Sequence, residues 1–104
     1  MGSYRSRLDI TADILKIVSR NAKKTQIMYQ ANLSYKLLTR YLEETLEAAL
    51  INFEDKKRCY VLTSKGLKFL EKYKEYSRCN DRVEKQLNDV NAKKKALEAL
   101  CSNI

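Results

Sequence analysis

The chain has 104 residues, with 21 Lys and Arg against 13 Asp and Glu, no histidine, no proline and two glycines, for a formal charge of +8. A chain this short builds one small domain plus an extension. Without histidine, paired carboxylates or a glycine-rich loop it has no zinc-ligand pattern, no phosphate cradle and no nucleophile motif, so catalytic residues, metal and cofactor are all expected to be none.

No apolar run approaches the roughly 20 residues of a membrane helix, so no membrane partner is expected. With no secretory leader in the sequence, the expected location is the cytoplasm. Residues 1–66 carry a positive surplus of 5 and residues 67–104 a surplus of 3. Such an excess fits either a polyanionic partner, most often nucleic acid, or a surface kept soluble by charge.

Leu8, Ile10, Ile14, Ile17 and Val18 recur at helical spacing between charged residues, which predicts an amphipathic helix over 6–20. Residues 21–24 form a polar break. Thr25 is then the expected N-cap of a short helix over 26–31, with Ile27 and Met28 pointing inward. Asn32 tolerates the left-handed backbone of a tight turn between helices. Ser34 caps a third helix over 35–50, whose inner stripe is Leu38, Leu42, Thr45, Leu46 and Ala49. Lys36, Arg40, Glu43 and Glu47 share its wet face.

Two β-like runs, 51–54 and 58–62, flank Asp55-Lys56-Lys57 as a charged hairpin tip. The lack of glycine there disfavours the tightest two-residue turns. Thr63 or Ser64 caps a long last helix, with Leu67 and Leu70 expected to pack back on the first domain. Along it, Phe69, Tyr76, Val83, Val90, Leu97 and Ile104 occupy one heptad position, and Tyr73, Asn80, Leu87, Lys94 and Cys101 the other. A stripe with a 3.5-residue period wants a partner helix, and the expected partner is a second copy of the chain.

The predicted fold is mainly α with a small β-hairpin: a winged helix-turn-helix over 5–66 followed by a coiled-coil dimerisation helix over 67–104. Folding the ribbon against the helices lets every element bury one face within about 65 residues.

Four stretches carry a family resemblance: Lys24-Thr25-Gln26-Ile27-Met28-Tyr29, Ala31-Asn32-Leu33-Ser34-Tyr35, Arg40-Tyr41-Leu42 and Tyr60-Val61-Leu62-Thr63-Ser64-Lys65-Gly66. Over residues 7–100 the chain resembles the archaeal ten-kilodalton winged-helix DNA-binding proteins, in which a C-terminal helix forms an antiparallel coiled-coil dimer. The resemblance implies dimeric binding of double-stranded DNA, a chromatin or regulatory role, a nucleoid-associated location and no enzyme activity. The chain departs from that pattern in Glu43, Glu44 and Glu47 on the recognition helix, acids that oppose phosphate approach there.

In a helix-turn-helix the N-terminal residues of the second helix lie nearest the bases. Those residues are Ser34, Tyr35, Lys36, Thr39 and Arg40. Arg40 can fork to guanine or to phosphate. The competing reading pairs Lys36 and Arg40 with the acids of their own helix, at only about 0.3–0.5 kcal/mol per pair. Tyr29 and Tyr35 either reach DNA through their hydroxyls or pack under the turn, and packing is the expectation. Lys56, Lys57 and Arg58 on the wing tip fit backbone contacts, and Lys24 is a further candidate.

The predicted dimer interface comprises Phe69, Tyr73, Tyr76, Asn80, Val83, Leu87, Val90, Lys94, Leu97 and Cys101. Cys101 is expected to pack as a small hydrophobe, and a disulfide across the dimer through Cys79 stays open. In an antiparallel pair centred near Leu87, Asn80 lies opposite Lys94, whereas a parallel pair sets Lys94 against Lys94. The alternative function is a winged-helix protein-interaction module dimerised by its coiled coil, since the fold does not fix function. Nothing points to a small-molecule substrate.

Overall fold

The computed structural model describes residues 5–102. The Met1-Gly2-Ser3 stretch and Ile104, the last position of the heptad series, lie outside the described residues. The elements are α1 (Arg7–Val18), α2 (Lys24–Gln30), α3 (Tyr35–Glu47), β1 (Ile51–Glu54), β2 (Cys59–Leu62) and α4 (Ser64–Cys101). The chain divides into two compact units between Tyr73 and Lys74. The architecture is mainly helical, with one two-stranded antiparallel hairpin and a long C-terminal helix, as the sequence predicts.

Helix α1 starts at a capping box. Ser6 Oγ accepts from Asp9 N–H (3.1 Å) while the Asp9 carboxylate accepts from Ser6 N–H (3.0 Å), so two otherwise orphaned donors are satisfied together. Its buried side chains are Ala12, Ile14, Leu15 and Val18. Leu8 is 47% exposed, so the predicted stripe is corrected: Leu15 takes the core position and Leu8 does not.

Residues 21–24 are more than a polar break. Ala22 forms a bridge to β2, its N–H donating to Tyr60 O (3.2 Å) and its carbonyl accepting from Tyr60 N–H (2.7 Å). That pairing keeps the backbone extended through Lys23 (ψ 158°), so α2 begins at Lys24 without a side-chain cap. Thr25 therefore lies inside the helix and is not its N-cap.

Helices α2 and α3 end alike. After α2, Asn32 N–H donates to Tyr29 O and Leu33 N–H to Met28 O, with Asn32 at φ 54°. After α3, Ala49 N–H donates to Leu46 O and Leu50 N–H to Thr45 O, with Ala49 at φ 62°. Both are Schellman closures, which need a left-handed residue just past the helix. Asparagine suits that position, and alanine takes it at a cost of about 1–2 kcal/mol. This closure ends α3 at Glu47, three residues before the predicted Leu50. Leu46 and Ala49 are consequently exposed, and Tyr41 joins Leu38, Leu42 and Thr45 on the buried face.

In the hairpin, Ile51 pairs with Leu62 and Glu54 with Cys59. The strand β2 therefore starts one residue later than predicted. The loop between the strands has four residues, 55–58, a length compatible with its lack of glycine. Its last residue, Arg58, is left-handed at φ 51°. Phe53 and Tyr60 meet edge-on across the strands with centroids 5.0 Å apart.

The side chains of Ile14, Leu15, Val18, Ile27, Leu38 and Ile51 are fully buried and form the centre of the core. Each contributes about 1.5–3 kcal/mol by leaving water. Thr63 caps α4: its Oγ1 accepts from Gly66 N–H (3.0 Å) and directs its own proton between the carbonyls of Ala49 (2.7 Å) and Leu50 (2.9 Å). Leu70 and Phe69 pack against the core. Leu67, expected to do the same, is 52% exposed. Tyr73 donates its hydroxyl to Asp9 Oδ1 (2.5 Å) and stacks on Phe69.

From Arg78 onward every described residue of α4 is exposed, and Lys93 pairs with Asp89 at 3.2 Å. No helix among the described residues is long and apolar enough to cross a membrane. The cysteines are free thiols, Cys59 buried and Cys79 and Cys101 exposed.

A Cβ at Gly66 would overlap the Leu50 carbonyl oxygen and lie 2.6 Å from Leu62 Cδ1. Gly66→Ala should therefore destabilise the fold by about 1–3 kcal/mol through overpacking, read from equilibrium urea unfolding. The Tyr73 hydroxyl, followed by the Ser6 N–H, holds the Asp9 carboxyl below its ordinary range. Because the folded value is depressed, this stabilisation is present above the unfolded carboxyl value of about 3.9 and is lost as pH falls through the folded one. Tyr73→Phe should be less stable than the parent at neutral pH, and the gap between their urea midpoints should shrink on acidification below about pH 4.

Candidate nucleic-acid interface

The turn between α2 and α3 sets where α3 stands, and it is held from outside as well as by its own closure. The Arg5 guanidinium donates to Ala31 O (2.8 Å) and Asn32 O (3.2 Å) while paired with Asp13 (2.9 Å). Two carbonyls at the α2 terminus thus receive charge-assisted bonds, the stronger class of hydrogen bond. Ser34 Oγ then accepts from Leu37 N–H at 3.2 Å and caps α3, as its position before the apolar repeat predicts.

The first turns of α3 present Tyr35, Lys36 and Arg40 to solvent. Thr39 is half-buried, and its hydroxyl donates back to Tyr35 O (2.8 Å), within its own helix. Tyr29 and Tyr35 do not pack under the turn: they are 78% and 65% exposed. Lys24 Nζ lies 4.2 Å from the Tyr35 ring centroid, so the start of α2 places a cation over the start of α3. Ser34, Lys36, Leu37 and Arg40 together line a shallow recess.

The acids on α3 do not neutralise its basic residues. Glu44 pairs with Arg7 of α1 at 2.7 Å, and Arg7 also lies over the Tyr41 ring. Glu43 and Glu47 are exposed. Among the described residues, neither Lys36 nor Arg40 has a carboxylate partner within 4.0 Å. The competing reading, in which these two cations are spent along their own helix, is not what the structure adopts.

Lys56, Lys57 and Arg58 occupy the exposed four-residue hairpin loop. The candidates therefore fall in two elements: Lys24, Ser34, Tyr35, Lys36, Thr39 and Arg40 on the helix-turn-helix, and the three cations on the hairpin loop. Nothing in the sequence pattern marks Arg5, Arg7 or Leu37. Arg5 and Arg7 read as ordinary solvated charge flanking an amphipathic helix. Leu37 falls between the inner stripe and the wet face, where periodicity assigns it to neither.

Of the predicted interface residues, Phe69 and Tyr73 are half-buried within the first unit. Tyr76, Asn80, Val83, Leu87, Val90, Lys94, Leu97 and Cys101 are exposed along α4. Among the described residues no group of three His, Cys, Asp or Glu side chains is placed to hold a metal ion.

A family model described as a winged helix-turn-helix matches residues 4–81. The uncharacterized protein MJ0290 of Methanocaldococcus jannaschii is 40% identical over 75 residues, which cover 71% of this chain and 35% of that protein. The chain thus spans about a third of the length of that relative. In three dimensions the chain is similar to Sso10a-2, a DNA-binding protein from Sulfolobus solfataricus, with a TM-score of 0.76 over 84% of this chain and 94% of that one. At 21% identity that similarity is one of fold.

Proposed function

The chain belongs to the winged helix-turn-helix family, and from that premise we propose that it is a dimeric duplex-DNA-binding protein, sequence-tolerant or regulatory, and nucleoid-associated. The observation that carries this reading is the pair Lys36 and Arg40, exposed at the N-terminal end of α3 with no carboxylate partner among the described residues. In this mode α3 enters the major groove, where its first residues approach base edges. Ser34 and the N–H groups behind it face phosphate, and Lys36 and Arg40 supply charge-assisted donors. Lys24 adds a third cation through its seat on Tyr35. Lys56, Lys57 and Arg58 track the backbone from the wing. The Arg7–Glu44 pair supports the reading, because it offsets one of the acids that oppose phosphate approach.

Residues 5–66 form the binding domain in this reading, and 67–104 the dimerisation helix. Beyond Arg78 the described residues of the heptad stripe are exposed, Val83 and Leu87 at 60% and 57%. A second copy buries such a stripe. An antiparallel pair centred near Leu87 sets Asn80 opposite Lys94 and avoids placing two Lys94 ammonium groups together.

The binding test is titration of the purified protein into 30-base-pair duplexes of unrelated sequence at several salt concentrations. A protein neutralising 6–10 phosphates should lose roughly 10³–10⁵ in affinity between 50 and 200 mM salt. Lys36→Ala/Arg40→Ala should weaken binding at least tenfold and flatten the salt slope by up to roughly 2 per bound protomer. Comparable affinity across sequences would favour a chromatin role. No binding to any duplex at 50 mM salt would sink the reading in favour of a protein-interaction module.

The dimer is tested by disulfide trapping in a background with Cys79 and Cys101 replaced by Ser. A mixture of Asn80→Cys and Lys94→Cys proteins should oxidise to a covalent heterodimer. Efficient crosslinking of the Asn80→Cys protein with itself would instead establish a parallel pair.

A further inference from the structure

The recess on α3 is lined by one apolar side chain, Leu37, together with the polar and cationic side chains of Ser34, Lys36 and Arg40. Leu37 is half-buried, with part of its side chain packed against the core. Its backbone is pinned as well, because its N–H donates to the Ser34 cap. The exposed remainder of the side chain is therefore held in place from two directions, as a reading residue must be.

In the proposed binding mode this part of α3 meets the edges of the bases. Those edges display hydrogen-bond donors and acceptors and a single kind of apolar group, the C5-methyl of thymine. A donor or acceptor set against Leu37 loses its water without gaining a partner. A methyl there loses nothing and buries apolar surface.

We propose that Leu37 is a specificity-determining residue that seats the 5-methyl group of a thymine in duplex DNA, in the recess it lines with Ser34, Lys36 and Arg40. The inference rests on the DNA-binding reading and deepens it. Binding is then not fully indifferent to sequence, even where phosphate contacts supply most of the affinity.

The test alters the DNA by single methyl groups. The full chain is titrated with an A·T-rich duplex, with the same duplex carrying deoxyuridine for every thymidine, and with a G·C-rich duplex with and without 5-methylcytosine. The wild-type protein should favour the methylated member of each pair by about fourfold per seated methyl. The cytosine pair separates the methyl contact from the groove shape of A·T-rich DNA.

Leu37→Ala should bind thymine and uracil duplexes alike. If that variant does not fold, Leu37→Gln, which keeps the length and helix preference of the side chain, should likewise lose the preference. Equal wild-type affinity for methylated and unmethylated duplexes would overturn the inference and leave DNA binding standing. A preference that persists in the Leu37 variants would also overturn it, by placing the methyl contact elsewhere. Failure to bind any of the four duplexes at low salt would overturn the DNA-binding reading itself.

Discussion

Three elements meet at the carbonyl group of Leu50. Helix α3 has just closed through the left-handed Ala49, β1 begins at the next residue, and α4 starts against the same point. The Leu50 oxygen accepts both the N–H (3.2 Å) and the hydroxyl of Thr63 (2.9 Å). The backbone of Gly66 passes so close that no side chain fits between them. Lys65 Nζ donates to Ala48 O (2.7 Å), so carbonyls at the end of α3 find their donors on the first turn of α4. Moving this junction would shift the start of the hairpin and the departure of the last helix together. Its side-chain hydrogen bonds contribute about 1 kcal/mol each, whereas opening it would leave several polar groups unmatched.

Helix α3 is also held at its other end, by charge. Arg5 ties the preceding turn to α1, and Arg7 takes Glu44 from the side. Both pairs are at least partly exposed, so their net stabilisation is modest. Their larger effect is on the local field. A carboxylate engaged by a neighbouring helix repels an approaching polyanion less than a free one, and the cations of the first two turns keep their donors unspent. Glu43 and Glu47 remain free and exposed, so the basic character of the helix is concentrated at its N-terminal end. A groove-facing helix is expected to make its base contacts there.

What was legible in the sequence followed local rules. Ser34 before an apolar repeat fixed the start of α3, Asn32 marked the left-handed turn, and the alternating runs around a charged tip gave the hairpin. What escaped depended on partners distant in sequence. The Thr25 hydroxyl is a sound local cap, but a backbone bridge from Ala22 to Tyr60 keeps the chain extended through Lys23 and moves the helix start. Alanine is not a residue that announces a left-handed closure, and Ala49 is one because Leu50 must turn inward to meet Thr63. Leu8 and Leu15 fit the period of α1 about equally well, and only the packed core separates them. The exposed tyrosines show the same limit: periodicity reports which face a residue occupies, not whether a neighbour covers it. For the candidate site, the helix-turn-helix rule names Lys36 and Arg40 as candidates, and both are exposed. It does not name Arg5, since its role rests on carbonyls 26 and 27 residues away.

The heptad series changes character along α4. Phe69 and Tyr73 fit its spacing, yet their rings stack on each other, Phe69 packs on the core and Tyr73 bonds Asp9. Beyond them the same spacing leaves Val83, Leu87, Val90 and Leu97 in water. Each such side chain gains about 1.5–3 kcal/mol when fully buried, so a partner of matching period has ample surface to bind. In the proposed pairing of two copies, the choice of alignment falls to the two polar positions. An ammonium group carries three donors and no acceptor, whereas an asparagine side chain supplies a carbonyl oxygen. Two Lys94 side chains facing each other have nothing to accept their protons and repel besides. Lys94 facing Asn80 has an acceptor and no opposing charge, so the pairing that satisfies the polar groups is also the one that runs the two helices in opposite directions.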